Sequence, residues 1–206
     1  MEGAYRVVEP RLAEPDLRGP GPGPSNVRSQ DVRSPAVRSP DVLSPDVRGD
    51  LSWTWRDGPR TGNGVVFDLD GVLSDAAARQ HLLRGPRPDW EAFFDASGDD
   101  PLVEEVAVLL GLLNTDLCIV LLTARPGRVR ESTVGWLGRH GLRWDLLLMR
   151  PSGDHRPARV FKQAAVRALR AEGLRPLLCF EDDQRNVEMF RAEGVPCVYV
   201  HSGYYQ

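Results

Sequence analysis

Five short apolar runs, each separated from the next by a stretch long enough for one helix, constrain the fold of this chain more than any other feature. After Gly62 the runs fall near Val65 to Leu69, Leu117 to Leu122, Asp145 to Met149, Leu177 to Phe180 and Cys197 to Val200. Helical patterns occupy 101–113, 127–140, 157–172 and 185–193. A continuous apolar run is a strand covered on both faces, and one helix per connection is the crossover of a parallel sheet. The expectation is therefore an α/β domain over residues 63–206, doubly wound and Rossmann-like, with five parallel strands. The interval 74–100 does not fit this rhythm. It contains Trp90, Phe93 and Phe94 and reads as a loop-rich excursion, a feature that is often functional in a compact domain.

Residues 1–60 have a different texture. They carry most of the prolines and a degenerate pentapeptide repeat, NVRSQ, DVRSP, AVRSP, DVLSP, DVRGD, from Asn26 to Asp50. A five-residue unit is too short for a solenoid, and so few large apolar groups cannot offset chain entropy. The segment is expected to be a disordered tail, with Trp53 to Arg60 free to fold back on the domain or not. At 206 residues the chain has room for one ordinary domain plus this tail.

The formal charge of -3 conceals an uneven distribution. Asp68 to Glu105 holds ten acids against three arginines, whereas Arg125 to Arg175 holds twelve basic residues against four acids. An acidic, metal-holding region beside a basic surface able to meet phosphates fits that split, as do solvated helix faces. Of the 26 basic residues only Lys162 is lysine. A composition that replaces nearly every lysine with arginine marks the exception as chemically required, because a compact ammonium and a planar guanidinium are not interchangeable. The three cysteines, Cys118, Cys179 and Cys197, lie in apolar runs without metal-ligand spacing and are expected to be reduced, buried thiols. No charged-then-apolar leader and no apolar stretch near the roughly 18 residues of a membrane span occur. The expected setting is the cytoplasm, with no membrane partner.

In a doubly wound sheet, ligands bind beyond the carboxyl ends of the strands. There the sequence supplies Asp68 and Asp70 after the first run, Thr123 after the second, and Glu181, Asp182 and Asp183 after the fourth, with Lys162 on the helix before it. These are the parts of phosphoryl transfer: a carboxylate nucleophile, a carboxyl for proton transfer, a cation and phosphate donors. So many carboxylates in one place repel one another unless a cation sits among them, and Mg²⁺ is the natural occupant. Gly71 lets the backbone turn tightly at that point.

The segments VVFDLDGVLSD, LLTAR, Lys162 and FEDD, in this order, resemble the four motifs of the haloacid dehalogenase (HAD) superfamily. Within it, GDHRPARVFK and FEDDQRNVEMFR are similar to the 3'-phosphatase domain of phage polynucleotide kinase, over about Val65 to Val200. The resemblance implies a HAD-like fold and a Mg²⁺-dependent phosphomonoester hydrolase. Asp68 would form an aspartyl-phosphate, Asp70 would protonate the leaving oxygen and then activate water, and Thr123 and Lys162 would hold the phosphoryl group. Metal would be bound by Asp68, the Asp70 carbonyl and an acid of the Glu181–Asp182–Asp183 run, with Asp182 favoured. Arg125 and Arg156 would contact substrate phosphate or backbone. No Walker A pattern is present, so the expectation is a phosphatase without a kinase half. Neither interval that could carry a cap is long enough for a full cap domain, and an open site suits a bulky substrate such as a nucleic-acid 3' end. Aromatics for base stacking are sparse; Trp136 and Trp144 are expected in the core, and His155 on an exposed loop.

Two other readings use the same residues. One is a phosphatase of small molecules or nucleotides. The other is a phosphate-binding or receiver-like module, although a receiver carries its acceptor Asp after the third strand, where this chain has LLLMR.

Overall fold

The computed structural model describes residues 51–205; the pentapeptide repeat and the tail before it lie outside the described residues. One sheet contains β1 (Ser52–Trp55), β2 (Gly62–Phe67), β3 (Cys118–Pro126), β4 (Leu146–Arg150), β5 (Leu174–Glu181) and β6 (Cys197–Tyr199), in the order β1-β4-β3-β2-β5-β6. The five strands from β2 to β6 are mutually parallel, as expected. The sheet has a sixth member, however, because β1 pairs antiparallel with β4, Ser52 against Met149 through Trp55 against Leu146. Trp53 and Trp55 pack against the core from this edge, and Arg60 anchors the returning chain by pairing with Asp145 at 2.6 Å. The segment beyond residue 51 is thus part of the domain rather than of the tail.

Helices α1 (Trp90–Asp95), α2 (Glu104–Leu112), α3 (Arg130–Arg139), α4 (Ala158–Ala171) and α5 (Gln184–Ala192) complete the fold. The apolar strands read as continuous because both faces are covered. Val65 and Phe67 of β2 join Ile119, Leu121 and Trp136 in one layer, while Val66 joins Val120, Leu122 and Phe161 in the other. In α4, Phe161, Ala165, Val166 and Leu169 form the buried stripe of an amphipathic helix. Trp136 and Trp144 are in the core, as expected. All three cysteines are free and buried. Among the described residues no helix is long and apolar enough to cross a membrane.

From β2 the chain moves to β3 and β4 on one side, then returns to place β5 and β6 on the other. The carboxyl end of β2 is therefore the topological switch point. The excursion 74–100 is not a cap domain. It folds into two short 3-10 helices, Ala77–Leu83 and Ala96–Asp99, flanking α1.

Candidate active site

Asp68 follows β2 directly, its amide donating to Phe180 O at 3.0 Å and its own Oδ1 accepting from the Leu69 amide at 2.8 Å. Its other oxygen, Oδ2, lies 2.6 Å from Lys162 Nζ. Lys162 sits in the second turn of α4 and is buried, with Glu181 Oε2 of β5 at 2.7 Å as its second partner. Burial works against the ammonium, but these two carboxylates outweigh it and hold Lys162 above its ordinary range. Burial, with Glu181 and Asp182 nearby, pushes Asp68 up, and Lys162 opposes that shift.

The three acids at the end of β5 divide their work. Glu181 takes Lys162 and also accepts from Asn186 Nδ2 and the Asp183 amide, both at 3.2 Å. Asp183 caps α5 through the Arg185 amide and pairs with the Arg185 guanidinium at 2.7 Å. Asp182 alone retains a buried carboxylate oxygen, Oδ2, without a hydrogen-bond partner. Burial and the Glu181 charge raise its carboxyl to about 7. Asp68, Glu181 and Asp182 bring oxygens within 4.8 Å of one another. A buried orphan oxygen among converging carboxylates fits a hard divalent cation, which would supply the missing partner and offset the repulsion. Gly71, at φ 81°, leaves room for that oxygen.

Asp70 is held by arginines. Its Oδ1 accepts from Arg125 Nε at 2.9 Å and Nη2 at 2.6 Å, and from Arg79 Nη2. Burial would raise this carboxyl, but the two guanidinium groups overcome it and hold it below the ordinary range. Asp100 completes the network, 2.6 Å from Arg79 Nη2, with the Ser74 hydroxyl between it and Arg125.

This arrangement corrects one expectation. Arg125 does not reach into the cleft toward substrate; it is fully buried, because Asp70, Asp100 and Ser74 all draw its guanidinium inward. Thr123 is also fully buried, with Oγ1 accepting from the Arg125 amide at 3.1 Å. Arg156 does line the cleft, its fork braced by Asp154 at 2.7 Å, and His155 lies beside it. Arg79, Ser74 and Asp100 escaped the sequence reading. All three come from the excursion and its ends, where the one available signal was the length of a segment that fitted no helix.

Asp68, Asp70 and Lys162 open into a cleft of about 1360 Å³. Its walls include Arg84, Arg128, Arg150, Arg156, Arg159 and Arg185. A reactive carboxylate, a fixed ammonium and an acidic cation cradle beneath a basic wall form an arrangement able to bind and cleave a phosphomonoester.

The sequence profile of the polynucleotide kinase PNKP phosphatase domain matches residues 62–205. Among solved structures, a chain of the Pnkp1/Rnl/Hen1 RNA repair complex is 28% identical, over 72% of this chain and 45% of that one, with a TM-score of 0.57. A second structure of the Pnkp1/Rnl/Hen1 complex gives the same identity and TM-score over 48% of its chain. This chain therefore spans less than half the length of those relatives. The class C acid phosphatase from Bacillus anthracis with tungstate bound shares the fold at 13% identity and a TM-score of 0.52, over 72% of this chain and 70% of that one. No curated protein matches.

Proposed function

Since the chain belongs to the family of polynucleotide kinase PNKP phosphatase domains, we propose that it is a Mg²⁺-dependent phosphomonoester hydrolase that acts through an aspartyl-phosphate on Asp68 and takes nucleic-acid 3' ends as substrate. The observation that carries this reading is the pairing of Asp68 with Lys162 at 2.6 Å beside the partnerless Asp182 oxygen, at the switch point of the sheet.

In this reading Asp68 attacks phosphorus, the bond to the ester oxygen breaks, and that oxygen takes a proton from Asp70. Water then attacks phosphorus, giving its proton to Asp70, and release of inorganic phosphate frees Asp68. Arg79 and Arg125 favour the ionised form of Asp70, the form that accepts the proton of the attacking water; the proton it gives to the ester oxygen is one it takes up from solvent before the first step. Lys162 keeps its charge throughout and stands next to Asp68, where it would meet a phosphoryl oxygen. Thr123 accepts from the Arg125 amide through Oγ1, which leaves its hydroxyl proton to be donated to a phosphoryl oxygen. Mg²⁺, held by Asp68, the Asp70 carbonyl and Asp182, would neutralise charge on the phosphoryl oxygens.

A basic cleft without a cap domain supports a polyanionic substrate end, with Arg156 among its phosphate contacts. Reduced, buried thiols support a cytoplasmic setting.

The test is phosphate release by the full chain with Mg²⁺ and with EDTA. Substrates are a 3'-phosphorylated oligonucleotide, 3'- and 5'-mononucleotides and an aryl phosphate. Mg²⁺-dependent preference for the oligonucleotide is expected. Better turnover of the small esters would move the function to metabolite dephosphorylation, and no turnover would leave a phosphate-binding module.

A further inference from the structure

Resting on the reading of this cleft as a site for nucleic-acid ends, we propose that Trp90 is the stacking platform for the base of the substrate's terminal nucleotide. Trp90 opens α1, whose first turn is fixed by Asp89 accepting from the Ala92 amide at 3.0 Å. Phe93 is buried beneath the Arg79 guanidinium, which lies 4.1 Å from the ring centre and also donates to Phe93 O at 3.1 Å. Arg79 is in turn bound to Asp70. A continuous set of contacts thus ties the aromatic helix to the strand end that carries Asp68.

Trp90 is backed but not covered. Its ring lies edge-on to Phe93 at 5.7 Å and stacked toward Phe94 at 5.8 Å with 29° between planes, yet 53% of the residue remains exposed. A solitary exposed apolar side chain is ordinary on any protein. This one shares its cleft with Asp68, Asp70 and Lys162, and two further rings hold it in place. At about 1360 Å³ the cleft is far larger than a phosphate requires. Its remaining walls combine a rigid aromatic surface with Arg150, Arg156 and Arg159. That combination binds single-stranded nucleic acid without regard to sequence, since every base offers a π-face and every linkage a charge. Trp136 and Trp144 are in the core; of the Trp and Tyr rings on the cleft, Tyr204 donates to Asp75 and Tyr205 lies against the Arg185 guanidinium, so Trp90, the most exposed of them and backed by two further rings, is the surface left for a base.

The test is fluorescence anisotropy of a 5'-labelled oligonucleotide ending in a 3'-phosphate, with EDTA present so that the substrate persists. A second oligonucleotide lacks the base of its terminal nucleotide, and the proteins are wild type, Trp90→Ala and Trp90→Phe. Trp90→Ala should raise Kd for the intact oligonucleotide by roughly 5- to 150-fold, the range of a lost base–aromatic stack. Trp90→Phe should restore most of this, and Trp90→Ala should leave Kd for the abasic oligonucleotide unchanged. Equal losses on both oligonucleotides, or no loss on either, would overturn the proposal. Phosphate release by the wild type, run in parallel, separates the two readings. Base-dependent binding without release would support the platform and sink the phosphatase, whereas release with base-independent binding would sink the platform alone.

Discussion

A Cβ added to Gly71 would stand 1.9 Å from Oδ2 of Asp182, so the carboxylate occupies space that any side chain at position 71 would fill. Gly71→Ala must therefore displace Asp182, and it also forces a side chain into a left-handed conformation at φ 81°. The expected result is a fall in apparent Mg²⁺ affinity of about 10- to 100-fold, the usual effect of disturbing the shell around a metal. Phosphate release measured against Mg²⁺ concentration checks it. An unchanged requirement would remove Asp182 from the proposed metal site.

Asp68→Asn should lower turnover by roughly four orders of magnitude or more, as expected for loss of a nucleophile. The fold should survive. Burial beside Glu181 and Asp182 already disfavours the ionised Asp68, and Lys162 keeps Glu181 as a partner. A melting temperature equal to or above that of the wild type, together with absent phosphate release, is the expected pair of results. Appreciable turnover would dismiss Asp68 as the nucleophile.

Lys162 has no room to become arginine. Its ammonium is held between Asp68 and Glu181 in a buried space, and a planar fork cannot take the same two contacts there. Lys162→Arg should cost about 10²-fold or more in kcat. Lys162→Met should in addition destabilise the protein by about 3 to 5 kcal/mol, because two buried carboxylates lose their cation. The folded-state pKa lies above the ordinary 10.5, so this stabilisation is complete below pH 10.5 and is lost only as pH rises further. In melts, the gap between wild type and Lys162→Met should nevertheless widen from pH 7 to 10, because without the ammonium the buried carboxyls of Asp68 and Asp182 are pushed up further and their ionisation costs more stability as pH rises.

Arg125 and Arg79 share Asp70 and Asp100 as partners, which makes neither arginine a spare. Arg125→Ala should destabilise the fold by about 3 to 5 kcal/mol, read by chemical denaturation, through uncompensated buried charge. It should also raise the pKa of Asp70 by removing the stronger of its two cationic neighbours. In the pH profile of kcat the limb assigned to Asp70 should move upward. A profile identical to that of the wild type would separate Asp70 from the proton transfer.

These residues also mark where sequence reading succeeds and where it stops. The positions of Asp68, Thr123, Glu181 and Lys162 follow from apolar runs and one expected helix, because strand ends fix them in the fold. Their orientation does not follow. That Glu181 takes the lysine, Asp183 the helix cap and Asp182 neither is decided by three successive side chains at the end of β5, and periodicity cannot rank them. Arg125 reads as a substrate contact until Asp70 and Asp100, distant in sequence, turn it inward. The platform at Trp90 was hidden for a similar reason, since α1 is six residues long and its orientation comes from Arg79 rather than from its own pattern.

The strand β1 offers a test of the domain's true beginning. Four residues of alternating tryptophan and small polar type give no hint of a partner, and the partner is the apolar edge of β4, distant in the chain. Because β1 pairs with β4, a chain starting at residue 51 should be markedly more stable than one starting at residue 61. Four cross-strand pairs are worth about 1 to 4 kcal/mol together. For a domain of this size that is a difference of roughly 3 to 15 °C in melting temperature. Loss of β1 should also promote association, because it uncovers the edge Leu146–Met149. Thermal melts and light scattering of the two chains check both outcomes, and equal stability would return residues 51–60 to the tail.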